Sequence, residues 1–195
     1  MVSRRFFMFV LVSNRLQIYN IFGKWANIIS KILLIQNFSV ILHLKSINNL
    51  KRKIMQSDPK QCLYCTNNQT LHDLMIEIAP LSVSRAFLFK EQTYRGRCLV
   101  AYKDHVNDLN ELSDEDRNAF MADVARVTRA MQKAFNPEKI NYGAYSDKLS
   151  HLHFHLAPKY VDGPDYGGTF QMNPGKVYLS DAEYAEMIEK IKANI

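Results

Sequence analysis

Residues 151–155 read His151-Leu152-His153-Phe154-His155, so three of the six histidines in 195 residues stand at every second position. Strict alternation is the periodicity of an extended strand, whose successive side chains project to opposite faces. On a strand, the three imidazoles form a row, and Leu152, Phe154 and Leu156 anchor the other face in a core. Neighbours in such a row lie roughly 6.5–7 Å apart, from the rise per residue of a strand. That spacing suits a shared phosphate or metal site, because imidazole is both a nitrogen ligand and a base near neutral pH. The alternative is a chance cluster on a solvated strand face.

The sequence from Met55 onward is orderly. Leu74, Ile76 and Ile78 alternate with Met75 and Glu77, the pattern of a strand. Arg85–Lys90 and Arg97–Lys103 predict a hairpin around Thr93-Tyr94-Arg95-Gly96. A helix follows, with Ser113 as N-cap and Asp114, Glu115 and Asp116 at the positive end of its dipole. Phe120, Val124, Val127, Met131 and Phe135 fall at steps of four and three, one apolar stripe. Asn136-Pro137 ends it. Ile140–Tyr145 and Ser150–Ala157 complete the strands. Ser180 and Glu183 make a capping box, with Leu179 and Tyr184 as its hydrophobic staple, and open a terminal helix carrying Ile188 and Ile191. Five strands and two helices, segregated rather than alternating, predict an α+β domain. There is no internal repeat and no glycine-rich phosphate loop.

Charge divides the chain in two. Residues 1–54 hold nine Lys/Arg and no Asp or Glu, while the remainder holds 16 against 19. The net charge of +6 therefore belongs to the first segment. The rest is mildly acidic, which argues against nucleic acid as a partner. Residues 1–54 have one glycine, no proline, and apolar runs at Phe6–Val12 and Ile28–Leu44. The first run is too short to span a bilayer, and Lys31, Gln36, Asn37 and His43 interrupt the second. This segment reads as a translated upstream region with the true start at Met55, disordered or dispensable. A membrane-associating anchor and a genuine helical extension are the alternatives. The domain proper is expected over 55–195.

Three cysteines, Cys62, Cys65 and Cys98, are an odd number and do not suggest a secreted disulfide framework. A reducing compartment, the cytoplasm, fits better. Cys62-x-x-Cys65 suits a zinc or redox role. Cys98, in a strand beside Leu99, reads as a small buried hydrophobe. His72 and His43 have no evident partner.

The histidine row, followed by Leu156-Ala157 and then Pro158-Lys159-Tyr160, resembles the signature of the histidine-triad (HIT) hydrolases. The stretch Phe87–Val100 resembles the family's strand–turn–strand. Asn141–Asp147 resembles the strand and loop before its triad. The resemblance covers roughly residues 62–195. It implies a five-stranded antiparallel sheet with two helices, in a homodimer. It implies a nucleotide hydrolase or nucleotidyl transferase acting at an α-phosphate, on a dinucleoside polyphosphate or a nucleoside phosphoramidate. The middle histidine, His153, maps onto the family's covalent nucleophile. His155 would contact the phosphate and donate a proton while charge develops. Amides near Ser150 would help hold phosphate oxygens.

The chain also departs from the family. Asp147 stands where many members have a neutral amide, in Tyr145-Ser146-Asp147-Lys148-Leu149-Ser150, and would repel phosphate unless Lys148 compensates. The family's ribose-binding acid falls on Phe89. A related branch's Asp-Gln matches Glu91-Gln92, which carries ribose contact to those two, with hairpin-tip polarity as the plainer reading. Asn141 is a further implied substrate contact. Some members complete a zinc tetrad from such a cysteine pair, a histidine after the hairpin and the first triad histidine, here Cys62, Cys65, His105 and His151. Such a set is closed and structural, and the chemistry itself needs no metal. A metal-dependent hydrolase using all three triad histidines as ligands is one rival. A non-catalytic nucleotide-binding scaffold is another.

Overall fold

The computed structural model describes residues 31, 35, 39–47, 58–145 and 147–195. The chain divides into two compact units, Met1–Lys53 and Ile54–Ile195. In the first, residues 39–47 are helical with exposed side chains. The run Phe6–Val12 and the start at Met55 lie outside the described residues. Among the described residues no helix is long and apolar enough to cross a membrane.

The second unit is built on one sheet. Its strands are β1 (Met75–Pro80), β2 (Ser84–Phe89), β3 (Cys98–Tyr102), β4 (Lys139–Gly143) and β5 (His153–Lys159). Their spatial order is β1-β2-β3-β5-β4, and every neighbouring pair is antiparallel. The turn from β2 to β3 closes at Gly96, whose φ of +87° lies in a region open chiefly to glycine. Four α-helices accompany the sheet among the described residues: α1 (Leu63–Thr66), α2 (Gln69–Leu74), α3 (Asp114–Phe135) and α4 (Asp181–Lys192).

The two long helices form where their local signals lie. Ser113 Oγ accepts the N–H of Asp116 at 3.1 Å, and Asn136 closes α3 in the left-handed conformation. The full capping box of Ser180 and Glu183 opens α4. Phe120, Val124, Val127 and Met131 on α3 and Tyr184, Ile188 and Ile191 on α4 bury one sheet face with Leu88, Val100, Leu152 and Leu156. Phe154 packs against the same cluster, so the apolar side of the alternating segment does anchor the core.

The opposite face carries the site. Leu63, Tyr64, Leu71 and Met75 pack there on Phe87, Phe89, Leu99 and Ala101. The short helices α1 and α2 close this face, and at four and six residues they leave no usable periodicity. Leu74, expected in the first strand, is the last residue of α2. The last strand begins at His153 rather than Ser150, because the His151 N–H donates to the Leu149 carbonyl at 2.8 Å in a local turn. His151 is thereby taken out of the row and aimed differently from the other two.

Candidate active site and metal centre

His151 faces the cysteines. Its Nδ1 lies 3.4 Å from Cys62 Sγ and 3.6 Å from Cys65 Sγ, and His105 Nδ1 lies 3.3 Å from Cys65 Sγ. The four ligand atoms sit within 4.8 Å of one another. A tetrahedral zinc with ordinary Zn–S and Zn–N bonds has S···N edges of about 3.6 Å. The donor set thus fits such an ion in both chemistry and size. His151 Nε2–H donates to the Tyr102 carbonyl at 2.8 Å, which leaves the Nδ1 lone pair free to ligate. Burial lowers the His151 pKa to about 4, holding it in the neutral, ligating form. Burial, and then Cys62 beside it, push the Cys65 thiol up, so a thiolate on Cys65 calls for a cation.

His153 and His155 stay on β5, with ring centroids 5.1 Å apart. His153 Nδ1–H donates to the His151 carbonyl at 2.7 Å, so the lone pair sits on Nε2. At His155 the order is reversed. Arg97 Nη2–H donates to His155 Nδ1 at 3.1 Å, so the proton of His155 sits on Nε2. The site therefore pairs an Nε2 base with an Nε2–H donor. Burial lowers the pKa of both imidazoles. Tyr64, between the cysteines in sequence, lays its ring against His151 at 4.8 Å and His153 at 5.3 Å.

Both histidines open onto a cavity of about 390 Å³, lined also by Tyr145, Asp147, Lys148, Leu149, Phe170 and Met172. Asp147 and Lys148 therefore reach the site. Asn141 lines an adjoining hollow that shares Tyr145 and Phe170, and its Nδ2 donates to the Gly168 carbonyl at 3.3 Å. Ser150 is half-buried, between the cavity loop and His151, and is absent from the lining.

The structure does not bring Glu91 and Gln92 to the cavity. Both are buried and engaged elsewhere. Glu91 Oε1 accepts from Thr93 Oγ and from the N–H groups of Thr93, Lys176 and Val177. Gln92 donates to the Phe89 carbonyl and accepts the Gly96 N–H at 2.7 Å. They tie the hairpin turn to the segment that brings Phe170 and Met172 over the site. Phe89 is buried, edge-on to His155 at 6.2 Å. Cys98 is buried in the core, as expected. His72 and residue His43 are exposed.

Sequence reasoning missed Arg97, Tyr64, Phe170 and Met172. One signal existed for Arg97. It has the strand parity of Leu99 and Ala101, which pair with His155 and His153, and so it faces the site.

Comparison with known proteins agrees with this geometry. Residues 78–162 match the family model described as HIT domain, from β1 to just past β5. The adenosine 5'-monophosphoramidase of Schizosaccharomyces pombe is 33% identical over 89 residues, 43% of this chain and 64% of that relative. The match thus spans just under two thirds of the relative's length. A histidine triad protein from Sinorhizobium meliloti has the same fold, with a TM-score of 0.61 at 19% identity over 66% of this chain and 95% of that one. A zinc-bound histidine triad family protein from Mycobacterium smegmatis gives 0.52 at 22% identity, over 70% and 94%. Residues 78–162 supply the strand that bears the alternating histidines and the strands that flank it, and it is this stretch of the chain that matches the HIT domain.

Proposed function

We propose that this protein hydrolyses a nucleoside phosphate derivative at its α-phosphorus, through a nucleotidyl-histidine on His153. The observation that carries the reading is the pair of opposed tautomers. His153 presents an Nε2 lone pair, and His155 beside it presents an Nε2–H. In the first step His153 Nε2 forms a bond to phosphorus, and the bond from phosphorus to the leaving group breaks with its electron pair on the leaving atom. The ring becomes positively charged, and the His151 carbonyl that accepts its Nδ1–H stabilises that charge. His155 donates to a phosphoryl oxygen. Water then attacks phosphorus and releases a proton to solvent, the N–P bond breaks, and its electron pair returns to Nε2 of His153.

The phosphoramidase activity named for the fission-yeast relative supports this class of substrate. Dinucleoside polyphosphates and nucleoside phosphoramidates are the two candidates, and they differ in whether the departing atom needs a proton. A homodimer belongs to the same proposal and is tested by sedimentation.

Cys62, Cys65, His105 and His151 are read as a structural zinc set, supported by the fit of their ligand atoms and by the zinc-bound relative. When bound, zinc would supply a closed cross-link between α1 and its N-cap, the chain just after β3, and the turn just before β5. The rival in which all three triad histidines hold one ion has less support, because His151 joins the cysteines and the other two turn to different partners.

The test is a panel of adenosine phosphoramidates and dinucleoside polyphosphates, with mass spectrometry of protein quenched during turnover. A nucleoside monophosphate adduct on His153 is expected. Binding of nucleotide without turnover or adduct would favour the scaffold reading.

A further inference from the structure

Arg97 is a fully buried cation whose hydrogen bonds all go to neutral atoms. Nη1–H donates to the Met172 carbonyl at 2.6 Å and the Gln171 carbonyl at 3.5 Å. Nη2–H donates to His155 Nδ1 at 3.1 Å and approaches Met172 Sδ at 3.4 Å. The guanidinium lies over the rings of Phe89 and Phe170, at 4.4 and 5.0 Å from their centroids. The acid that acts on it, Glu91, is buried, and among the described residues no ion pair joins the two. The groups around His155 that carry charge or titrate are Arg97 and His153 against its ring, Tyr145 beside it, and Asp147 and Lys148 across the cavity.

A guanidinium has five N–H donors and no acceptor. Nδ1 of His155 must therefore accept. A proton there would set two donors face to face and place a second cation about 3 Å from the first, in a site with little water to screen them.

We propose that Arg97 holds His155 neutral, as an Nε2–H hydrogen-bond donor and not a general acid, and so restricts this site to leaving groups that depart as stable anions. The inference rests on the hydrolase reading above and names its substrate class: anhydrides of a nucleoside monophosphate, with phosphate or carboxylate as the departing group. A neutral imidazole is far too weak an acid to give up its Nε2 proton as the bond to phosphorus breaks. His155 can stabilise charge on a phosphoryl oxygen, but the departing atom keeps its own electron pair unprotonated. An anhydride oxygen tolerates this. An alkoxide, or the nitrogen of a phosphoramidate that lacks another proton source, does not. Arg97 is thus a positioning residue that acts through His155.

Two measurements on the wild-type protein decide the matter. The first is nitrogen-15 NMR of histidine-labelled, substrate-free protein, with the His155 signal assigned by its loss in His155→Ala. A neutral ring protonated on Nε2 from pH 5 to 8 is expected. A ring protonated on Nδ1, or an imidazolium, overturns the proposal whether or not the enzyme hydrolyses anything. The second is turnover of adenosine 5'-phosphate aryl esters whose phenols differ in acidity. Steep dependence is expected, about tenfold or more for two units of leaving-group pKa, because no proton assists departure. A flat dependence overturns the proposal. If no ester or anhydride is turned over, the hydrolase reading and the leaving-group restriction fall together, while the NMR result still judges the role of Arg97. Arg97→Met should let His155 titrate between pH 5 and 8 and flatten the ester series, and Arg97→Lys should restore both. An unchanged tautomer and slope in a folded Arg97→Met protein also overturns the proposal. Should that variant fail to fold, the wild-type measurements stand alone.

Discussion

The Nδ1–H of His153 donates to the carbonyl oxygen of His151 at 2.7 Å, so the residue that meets the cysteines through its ring holds the next histidine through its backbone. The Cys/His cluster and the proposed nucleophile are therefore joined by one hydrogen bond. Whatever fixes His151 also fixes which nitrogen of His153 faces the cavity.

His153→Ala is expected to abolish the covalent adduct and to lower turnover by several orders of magnitude, with nucleotide binding retained. His155→Ala should cost less, about 10²–10³-fold, as loss of one preorganised donor does. Quenched turnover with mass spectrometry and steady-state kinetics check both. Near wild-type turnover by His153→Ala would show that the nucleophile lies elsewhere.

Metal analysis of purified protein should find about one zinc per chain, as a single Cys₂His₂ set requires. Cys65→Ser should lower the thermal midpoint more than it lowers kcat of the folded fraction, because ligation is coupled to folding. Active, stable protein free of metal would remove the site.

Asp123 on α3 is buried and accepts four hydrogen bonds, from Ser82 N–H and Oγ, Val83 N–H and Ser84 Oγ. It pins the turn between β1 and β2 to the helix. Asp123→Ala leaves those donors without an acceptor, and the expected loss is about 3–5 kcal/mol. Urea unfolding measures it. A loss below about 1 kcal/mol, the size of one ordinary hydrogen bond, would mean that water replaces the carboxylate.

Acid should destabilise the fold over a defined window. Burial keeps His153 and His155 neutral in the folded protein. In the unfolded chain they take up protons as pH falls through about 6.5. The unfolded state then binds more protons, so stability is level above that pH and falls below it. His151 contributes in the same direction down to its folded value of about 4. Thermal midpoints at pH 7.5, 6.5 and 5.5 read the effect, and a midpoint that holds steady or rises on acidification contradicts it.

Residues 1–54 are proposed to be dispensable for the fold and activity of the HIT domain, from the loss of acidic residues upstream of Met55. Protein comprising 55–195 should match the full chain in thermal unfolding and turnover. An insoluble or inactive truncation would reverse this. Partition of the full chain alone into vesicles would identify an anchor instead.

The signals legible in the sequence are those whose partners lie within a few residues. The Ser113 cap, the Ser180–Glu183 box and the apolar stripe of α3 depend on backbone bonds and side chains one turn apart. The alternation of residues 151–155 likewise assigned Leu152, Phe154 and Leu156 to the core and the imidazoles to the other face. The resemblance then pointed to Cys62, Cys65, His105 and His151 as one group, which no local rule would have joined and which the fold does bring together.

What tertiary structure decided is which nitrogen each imidazole presents. His151 leaves the row because a local turn bends it toward cysteines 89 and 86 residues away. His155 takes its tautomer from Arg97, 58 residues away, and Glu91 binds backbone 85 residues on. A strand's period sets the face of a side chain, but a proton's place on a ring depends on the one donor or acceptor that folding sets against it. In this protein those partners are the Tyr102 carbonyl in β3, Arg97 just before that strand, and the His151 carbonyl, which the local turn sets against His153.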